Sequence, residues 1–360
     1  MSDRVFVAMS GGVDSALAAA LLVERGEDVV GVWMRLTPAG TTSDAPRCCG
    51  TDAAGEDARR AAAHLGIPFY ALDYADVFGR AVVDPFVEAY ARGETPNPCV
   101  ACNGAVKFEA LLSDVVRKFG GSRLATGHYA RVARDGERYR LRRARDAQKD
   151  QSYALYMLGQ DDLARLELPI GDLADKAETR TLAVRHGLPN AAQAESMDIC
   201  FIGGDYRDFV RERAPGAFVP GPIERADGTV VGTHGGVGGL TVGQRSGVGV
   251  ATGERLYVLR LELERGAAVV GSRAEISTRS YRLRAVRFTA GRPPASTFSA
   301  DAVLRYRGTP LACVVRMSED RGAAVLELAE AALVAPGQAA VLYDGDEVIG
   351  GGVVDRPRTV

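Results

Sequence analysis

The 360-residue chain is predicted to be an α/β protein in which a doubly wound parallel sheet precedes a small glycine-rich β domain and a C-terminal antiparallel β-barrel. Three observations predict this arrangement. Strand and helix patterns alternate up to about residue 200, glycine and proline are concentrated between Gly203 and Gly253, and short alternating apolar segments follow from Leu256 onward. At about 150 residues per domain, we expect two or three domains.

Each element of the first region follows from its hydrophobic pattern. Short apolar runs predict strands, and longer segments with helical spacing predict helices. In chain order the pattern predicts a strand Val5–Met9, a helix Ala16–Arg25 closed by Gly26, a strand Val29–Met34, a helix Glu56–Leu65, a strand Phe69–Leu72, helices Val82–Ala91 and Phe108–Phe119, and a strand Leu124–Thr126. The ligands of such a sheet bind beyond the carboxyl ends of its strands.

The sequence pattern from Leu256 onward predicts β-strands. Turn residues separate the short alternating segments Leu256–Leu263, Tyr281–Phe288, Ala302–Tyr306, Cys313–Met317, Ala324–Leu328 and Ala339–Tyr343. This spacing is typical of an antiparallel sandwich or barrel. We therefore expect three domains, at 1–202, 203–275 and 276–360.

The charge of the chain is balanced overall but segregated locally. Forty-four basic and 46 acidic residues give a net charge of −2, which excludes a polybasic binder. The segment from 117 to 149, however, contains eleven basic residues and only three acidic ones. A second basic cluster consists of Arg279, Arg282, Arg284, Arg287 and Arg292. With Tyr139, Tyr281 and Tyr306 interleaved, these stretches indicate a surface that follows RNA phosphates. The alternative is a set of solvated charged faces in an arginine-rich chain.

Six cysteines are too few for a disulfide scaffold in a chain of this length. The first residues show no leader peptide and no apolar run reaches the length of a membrane span, so we expect a cytoplasmic protein with reduced thiols. Cys313 lies in an apolar strand pattern and is expected in a core. Cys48 and Cys49 follow a loop-like segment, and we assign them no role.

The strongest local motif is Ser10-Gly11-Gly12-Val13-Asp14-Ser15, between the first strand and the first helix. Two glycines let backbone amides approach an anion, and the following helix directs its positive end toward it. Asp14 would repel a bare phosphate, which suits a position beside Mg²⁺ or a helix N-cap. A glycine-rich turn that only starts a helix is the alternative. The motif resembles the phosphate loop of the PP-loop ATP pyrophosphatases, which cleave ATP between its α- and β-phosphates.

Three cysteines are candidates for chemistry. Cys99 and Cys102 lie three residues apart in a proline-bracketed loop, and Cys200 lies at the end of the α/β region. We expect Cys102 just before a helix, where the helix N-terminus would lower its thiol pKa. Two possibilities remain open: a thiol pair that works with a distant persulfide, and three ligands of an iron–sulfur cluster.

Nearly the whole chain resembles the bacterial tRNA 2-thiouridylases, which thiolate the wobble uridine of certain tRNAs. The matching motifs are AMSGGVDS at 8–15, TPNPCVACN at 95–103, GHYA at 127–130, KDQSY at 149–153, ES-DICF at 195–201, TVGQRSGVG at 241–249 and RYRG at 305–308. The resemblance implies a fold with a PP-loop domain and an enzyme that uses ATP and Mg²⁺, acts on a tRNA anticodon loop, and receives sulfur from a cysteine desulfurase or relay protein.

The resemblance also implies roles for individual residues. Cys102 would be the nucleophile and Cys200 the persulfide carrier. ATP would contact Ala8, Met9, Ser10, Gly11, Gly12, Val13, Asp14, Ser15, Met34 and Gly127. Asn97, Pro98 and Cys99 would contact the target base, and His128, Lys149, Asp150, Gln151, Arg305, Tyr306 and Gln338 would contact the tRNA. Many family members have Asp where this chain has Cys99, which leaves open which thiol attacks and keeps the cluster alternative.

Two other functions are alternatives to this one. An amide-forming PP-loop synthetase would need neither paired thiols nor a basic stretch. A non-catalytic RNA-binding homologue would not need an intact phosphate loop.

Overall fold

The computed structural model describes residues 3–37, 50–193, 199–248, 255–320 and 322–356. The described strands form three sheets: a five-stranded parallel sheet, a four-stranded mixed sheet and an eight-stranded antiparallel sheet. The predicted fold class is confirmed. Cys48 and Cys49 lie outside the described residues.

The first sheet has the strand order β3-β2-β1-β4-β7. Its strands are β1 (Val5–Ala8), β2 (Val29–Arg35), β3 (Phe69–Asp73), β4 (Arg123–Thr126) and β7 (Leu166–Glu167). Side chains of β1 alternate between two cores, since Val5 and Val7 pack on one face while Phe6 and Ala8 pack on the other. Both faces of the sheet are therefore covered, as a doubly wound fold requires.

The described helices of this region flank the sheet. They are α1 (Val13–Glu24), α2 (Asp52–Leu65), α3 (Ala75–Phe78), α4 (Asp84–Ala91), α5 (Pro98–Ala101), α6 (Leu112–Arg117), α7 (Gln160–Leu163) and α8 (Lys176–Arg185). The π-helical segment Gly79–Val83 joins α3 to α4, and a second one, Cys102–Leu111, joins α5 to α6. A short 3₁₀ helix spans Ser152–Leu155.

The helix predicted to begin at Phe108 begins ten residues earlier, at Pro98. Pro98 is its first residue, a position where the missing N–H costs nothing and the fixed φ favours the helix. The side-chain oxygen of Asn97 accepts hydrogen bonds from the amides of Cys99 and Val100, at 3.1 and 3.2 Å. The expectation that Cys99 and Cys102 lie in a loop was therefore wrong, because Asn97 and Pro98 together start a helix.

The middle of the chain forms the mixed sheet, in the order β10-β11-β8-β9. Its strands are β8 (Gly221–Arg225), β9 (Val230–His234), β10 (Tyr257–Glu262) and β11 (Ala267–Gly271), and its helices are α9 (Tyr206–Arg213), α10 (Arg273–Ile276) and the 3₁₀ segments Pro215–Phe218 and Val237–Gly239. Phe209 and Phe218 pack against Phe86 and Tyr90 of α4, so this region is joined to the first by an aromatic cluster.

The C-terminal strands close into a six-stranded barrel. In spatial order they are β12 (Thr278–Phe288), β15 (Ala324–Ala332), β14 (Leu311–Met317), β13 (Thr297–Val303), β16 (Ala339–Asp344) and β17 (Glu347–Val354), and β17 pairs back with β12. The strand predicted at Ala302–Tyr306 ends at Val303, which leaves Tyr306 in a loop. Cys313 is buried in the barrel core, as its apolar pattern indicated, and burial raises the pKa of its thiol to about 11.

A hairpin of the first region joins this barrel. Its strands are β5 (Ala130–Asp135) and β6 (Arg138–Arg143), and β6 pairs with β17 where Arg142 faces Glu347. The hairpin was not predicted, because its alternating arginines were interpreted as a charged surface. Among the described helices, none is long and apolar enough to cross a membrane.

Candidate active site

The phosphate loop lies where the order of the parallel strands reverses. β1 pairs with β2 on one side and with β4 on the other, with Ala8 opposite both Val32 and Thr126. The loop after β1 therefore faces Gly127, the residue after β4. Ligands of doubly wound sheets bind at this crevice, so the fold brings together the predicted ATP contacts of these two loops.

Two glycines permit the close approach of backbone at this point. Gly11 has a φ of +86°, and a Cβ there would lie 2.3 Å from the carbonyl oxygen of Ala54. A Cβ on Gly127 would lie 2.6 Å from the amide nitrogen of Ser15, in the first turn of α1. The loop is braced internally by a hydrogen bond of 3.0 Å from the Ser10 amide to the Ser15 hydroxyl.

Asp14 does not cap α1, whose N-cap is Gly12. Its carboxylate instead accepts hydrogen bonds from the hydroxyl of Tyr129, at 2.9 Å, and from the ammonium group of Lys176, at 2.5 Å. Lys176 is the first residue of α8, and its side chain is 14% exposed. The alternative in which Asp14 is an N-cap is wrong, because Gly12 occupies that position.

Lys176 is a residue that sequence reasoning missed. A phosphate site needs positive charge, and the chain has four lysines, of which Lys176 is the last. That scarcity was a usable signal. Lys176 lies 162 positions from Asp14 in the sequence, however, and so large a separation gives no reason to expect an ion pair between them.

The two thiols of the CxxC sequence have different environments. Cys99 is exposed in the first turn of the helix that begins at Pro98, whereas Cys102 is one turn further along and 8% exposed. The thiol at the helix N-terminus is therefore Cys99, and the expectation that Cys102 occupies that position was wrong. Asn103, beside Cys102, is fixed by a bond of 3.0 Å to the carbonyl of Ala154 and by one of 2.9 Å from Lys107.

Cys200 is brought to the same core as Cys102. Cys102 is a buried member of the hydrophobic cluster that also contains Ala8 and Met34, and Cys200 packs against this cluster while remaining partly exposed. The neighbouring Phe201 anchors the segment, since its ring makes edge contacts with Phe78 and Phe86. Ala8, at the end of the strand that leads into the phosphate loop, thus shares one cluster with both thiols, although 98 positions separate Cys102 from Cys200.

Three of the residues expected to contact tRNA have internal partners. Asp150 is 8% exposed and accepts hydrogen bonds from Arg143 and from the amides of Ala144 and Ser152. The Gln151 side chain accepts from the Tyr129 amide at 2.9 Å. His128 is buried beside Thr126, with 2.8 Å between the Thr126 hydroxyl and Nδ1 of His128. Burial and, to a smaller extent, the charge of Lys107 hold the pKa of His128 well below its usual range.

The remaining candidates lie nearer the surface. Arg305 is exposed and Tyr306 is 40% exposed, and Tyr306 packs against Tyr153 with 6.2 Å between ring centroids. Burial raises the pKa of Tyr306, whereas the charge of Arg307 and a hydrogen bond with it lower that pKa. The barrel loop at Tyr306 packs against the 3₁₀ helix Ser152–Leu155 through the contact with Tyr153. Lys149 is half-buried, and Gln338 donates a bond of 2.7 Å to the carbonyl of Thr95.

The basic stretch around the β5–β6 hairpin is largely structural. Arg138 and Arg140 pair with Glu347, while Arg131 and Arg142 pair with Asp346. Both acids belong to the barrel. These arginines therefore fasten the hairpin to the barrel, and the prediction that the whole stretch follows RNA phosphates was wrong. Arg279, Arg282, Arg287 and Arg292 of the second cluster are exposed.

No candidate metal centre is found among the described residues. In that part of the chain, which includes Cys99, Cys102 and Cys200, no three His, Cys, Asp or Glu side chains are grouped so that they could hold a metal ion. The described thiols do not fit the ligand set of an iron–sulfur cluster.

Three family models match the chain in succession. They are described as a tRNA methyl transferase HUP domain at residues 3–204, a tRNA methyl transferase PRC-barrel domain at 207–272 and an aminomethyltransferase beta-barrel domain at 278–354. A curated protein of Roseiflexus sp. (strain RS-1), described as tRNA-specific 2-thiouridylase MnmA, is 45% identical, with 98% of this chain and 99% of its own length covered. The chain belongs to the MnmA family of tRNA-specific 2-thiouridylases.

Other MnmA relatives match at a similar level. The MnmA protein of Chloroflexus aggregans is 46% identical over 99% of both chains, and that of Moorella thermoacetica is 45% identical over 97% of this chain and 98% of its own. The MnmA family resemblance found in the motifs is therefore confirmed along the full length.

Proposed function

We propose that the chain is an ATP-dependent tRNA 2-thiouridylase, a sulfurtransferase that replaces the 2-oxygen of the wobble uridine with sulfur and releases AMP and pyrophosphate. The observation that carries this proposal is the full-length similarity to MnmA proteins. The arrangement of the site supports it, because the strand that leads into the phosphate loop ends in the same hydrophobic cluster as two thiols. Paired thiols favour sulfur transfer over the methyl transfer that the names of the family models suggest.

ATP would bind at the switch point between β1 and β4. The amides of residues 10–15 and the N-terminus of α1 would hold its phosphates, Ala8, Met9 and Met34 would line the nucleotide site, and Gly127 would close it. Lys176 would supply a positive charge beside the phosphates. Mg²⁺, when bound, would neutralise phosphate charge, and the oxygens of Asp14 and Ser15 suit a hard cation. Lys176 would then exchange its partner Asp14 for a phosphate oxygen.

Sulfur transfer would follow activation of the base. Adenylation of the uridine 2-oxygen makes it a leaving group, and the terminal sulfur of a Cys200 persulfide attacks the adjacent carbon as AMP departs. The thiolate of Cys102 then attacks Sγ of Cys200, which breaks the sulfur–sulfur bond and leaves the transferred sulfur on the base. The two cysteines end as a disulfide, which a thiol reductant reopens before a cysteine desulfurase or relay protein reloads Cys200.

The tRNA would contact both the first region and the barrel. Arg305 and Tyr306 would contact the tRNA directly, because both side chains are exposed in the loop that follows β13. Asn97, Pro98 and Cys99 would meet the target base at the start of their helix. His128, Asp150, Gln151 and Gln338 would act by keeping this surface in shape, and Lys149 would contact a phosphate. A cytoplasmic location follows from this substrate.

The test is the stoichiometry of the reaction with undermodified tRNA. Purified protein carrying a persulfide should form AMP, pyrophosphate and 2-thiouridine in equal amounts, with no product from a stem-only RNA that lacks the anticodon loop. Pyrophosphate release that depends on a small amine in place of tRNA would contradict the proposal and favour an amide-forming synthetase. Binding of tRNA without pyrophosphate release would contradict it in favour of an RNA-binding homologue.

A further inference from the structure

The helix that begins at Pro98 carries Cys99 and Cys102, and we call it the cysteine helix. In the segment before it, both the amide and the carbonyl of Thr95 are hydrogen-bonded to the barrel. The amide of Thr95 donates to the carbonyl of Pro336 at 2.7 Å, and the carbonyl of Thr95 accepts from the side-chain amide of Gln338 at 2.7 Å. Gly337, between these partners, has a φ of +90°, and a Cβ there would lie 3.0 Å from the Thr95 amide nitrogen. The turn at 336–338 is therefore shaped to receive Thr95.

Glu94 adds a charged contact to the same place. Its side chain is 11% exposed, and its carboxylate lies 2.7 Å from Nη2 of Arg284 on β12 and 3.6 Å from Nε of Arg356 after β17. The side chains of Arg284 and Arg356 are 41% and 36% exposed, so solvent screens part of their attraction for the buried Glu94 carboxylate. Glu94 and Thr95 together form what we call the barrel clamp, with Arg284, Gln338 and Arg356 as its barrel side.

The connection from the clamp to the thiols is stiff. Thr95-Pro96-Asn97-Pro98 contains two prolines with fixed φ, and each remaining residue precedes a proline, which restricts it to extended conformations. Asn97 is extended, with φ −108° and ψ 98°, and its side chain caps the helix that carries Cys99 and Cys102. No flexible residue lies between the clamp and that helix. A displacement of the clamp would therefore move the helix as well.

We propose that the barrel clamp is a positioning device for the thiol chemistry: Glu94 and Gln338 set the place of the Cys99–Cys102 helix through the stiff proline segment. This inference rests on the proposed function for its catalytic consequence. The barrel would then be more than a surface for RNA, because its position fixes the nucleophile. Glu94 and Gln338 are positioning residues, since they act on Cys102 through the helix.

A merely structural clamp would hold the barrel in place and do nothing else. The chain offers a matched control for that possibility. Glu347 is 12% exposed and pairs with Arg138 and Arg140, so it also joins the barrel to the first region through two arginines. Its partners belong to the β5–β6 hairpin, however, and not to the cysteine helix.

The experiment compares Glu94→Gln, Gln338→Ala and the control Glu347→Gln in the full chain. The first readout is the alkylation rate of Cys102 by iodoacetamide, measured by peptide mass spectrometry against Cys313 in the same sample. We expect Glu94→Gln and Gln338→Ala to raise the Cys102 rate about fivefold, because the helix opens locally more often. Glu347→Gln should match the unmodified protein.

The second readout separates activation from sulfur transfer. Glu94→Gln and Gln338→Ala should slow single-turnover thiolation about tenfold while ATP binding is unchanged, since misplacing a reacting group lowers the rate of its own step. An unchanged Cys102 rate in both variants, or an equal change in Glu347→Gln, would overturn the inference. If the unmodified protein thiolates no tRNA, the proposed function fails, and the alkylation rates still decide whether the clamp positions the helix.

Discussion

The ammonium group of Lys176 lies 2.5 Å from the carboxylate of Asp14, which joins the first residue of α8 to the first turn of α1. An ion pair at this point places one positive and one negative charge beside the backbone that would hold phosphate. Without a bound nucleotide, the positive charge of Lys176 compensates the negative charge of the Asp14 carboxylate. Loss of Lys176 would therefore leave the phosphate site with uncompensated negative charge.

Lys176→Met is expected to lower the rate of tRNA-dependent pyrophosphate release by at least about tenfold, because a charged donor aimed at phosphate is lost. Arg123→Met is the control. Arg123 pairs with Glu27 and Glu167 at the first residue of β4, the opposite end of that strand from Gly127. Equal losses in the two variants would show that Lys176 acts only through general stability.

Gly127→Ala is expected to abolish ATP binding, measured by isothermal titration calorimetry. A Cβ at Gly127 would lie 2.6 Å from backbone of α1, which cannot move as a flexible side chain can. Gly79→Ala is the matched control, since nothing lies within 4 Å of a Cβ at that helical position. It should raise the free energy of unfolding by up to about 1 kcal/mol through helix propensity. Unchanged affinity in Gly127→Ala would contradict the placement of ATP between β1 and β4.

Asn97→Ala is expected to lower the free energy of unfolding by about 1 kcal/mol, because two amides of the cysteine helix lose their cap. Asn97→Asp keeps an acceptor at the N-cap and should restore most of the stability. Urea unfolding measures both effects. Restored stability without restored thiolation in Asn97→Asp would separate a contact with the base from the capping role.

His128 gives the structure a pH dependence with a definite sign. Its pKa is far below 6.5 in the folded chain, so the unfolded chain binds more protons at acidic pH. Its contribution to stability is complete above the unfolded pKa and is lost as the pH falls below about 6.5, at up to about 1.4 kcal/mol per pH unit. We expect His128→Gln to flatten the decline in the free energy of unfolding between pH 7 and pH 5. A parallel decline in both proteins would show that other groups are responsible.

Much of the fold followed from local patterns. Four of the five described strands of the parallel sheet were predicted from short apolar runs such as Val5–Ala8, whereas β7 has two residues and is too short to give such a run. The β5–β6 hairpin was missed because its alternating arginines were interpreted as a charged surface, and the acids that pair with them, Asp346 and Glu347, lie about two hundred positions away. A local signal existed, since the two-residue connection Gly136-Glu137 has glycine at the first position, where the favoured hairpin turns need a positive φ, and Gly136 has a φ of +61°.

The candidate site divides in the same way. The phosphate loop is local in sequence, and its residues were identified as a unit. The roles of Cys102 and Cys200 as partners came from the family resemblance. No local sequence pattern indicates that two distant residues pack in the same core. Lys176 and Glu94 were missed for that reason. Each acts through a partner from a distant segment, and neither has a spacing that marks it.

The most direct test of the account is single-turnover transfer of ³⁵S from the persulfidated protein to undermodified tRNA. We predict that Cys200→Ser transfers no label, that Cys102→Ser accumulates label in a covalent protein–RNA adduct released by a thiol reductant, and that the control Cys313→Ser matches the unmodified protein. Full transfer by Cys200→Ser would contradict the account.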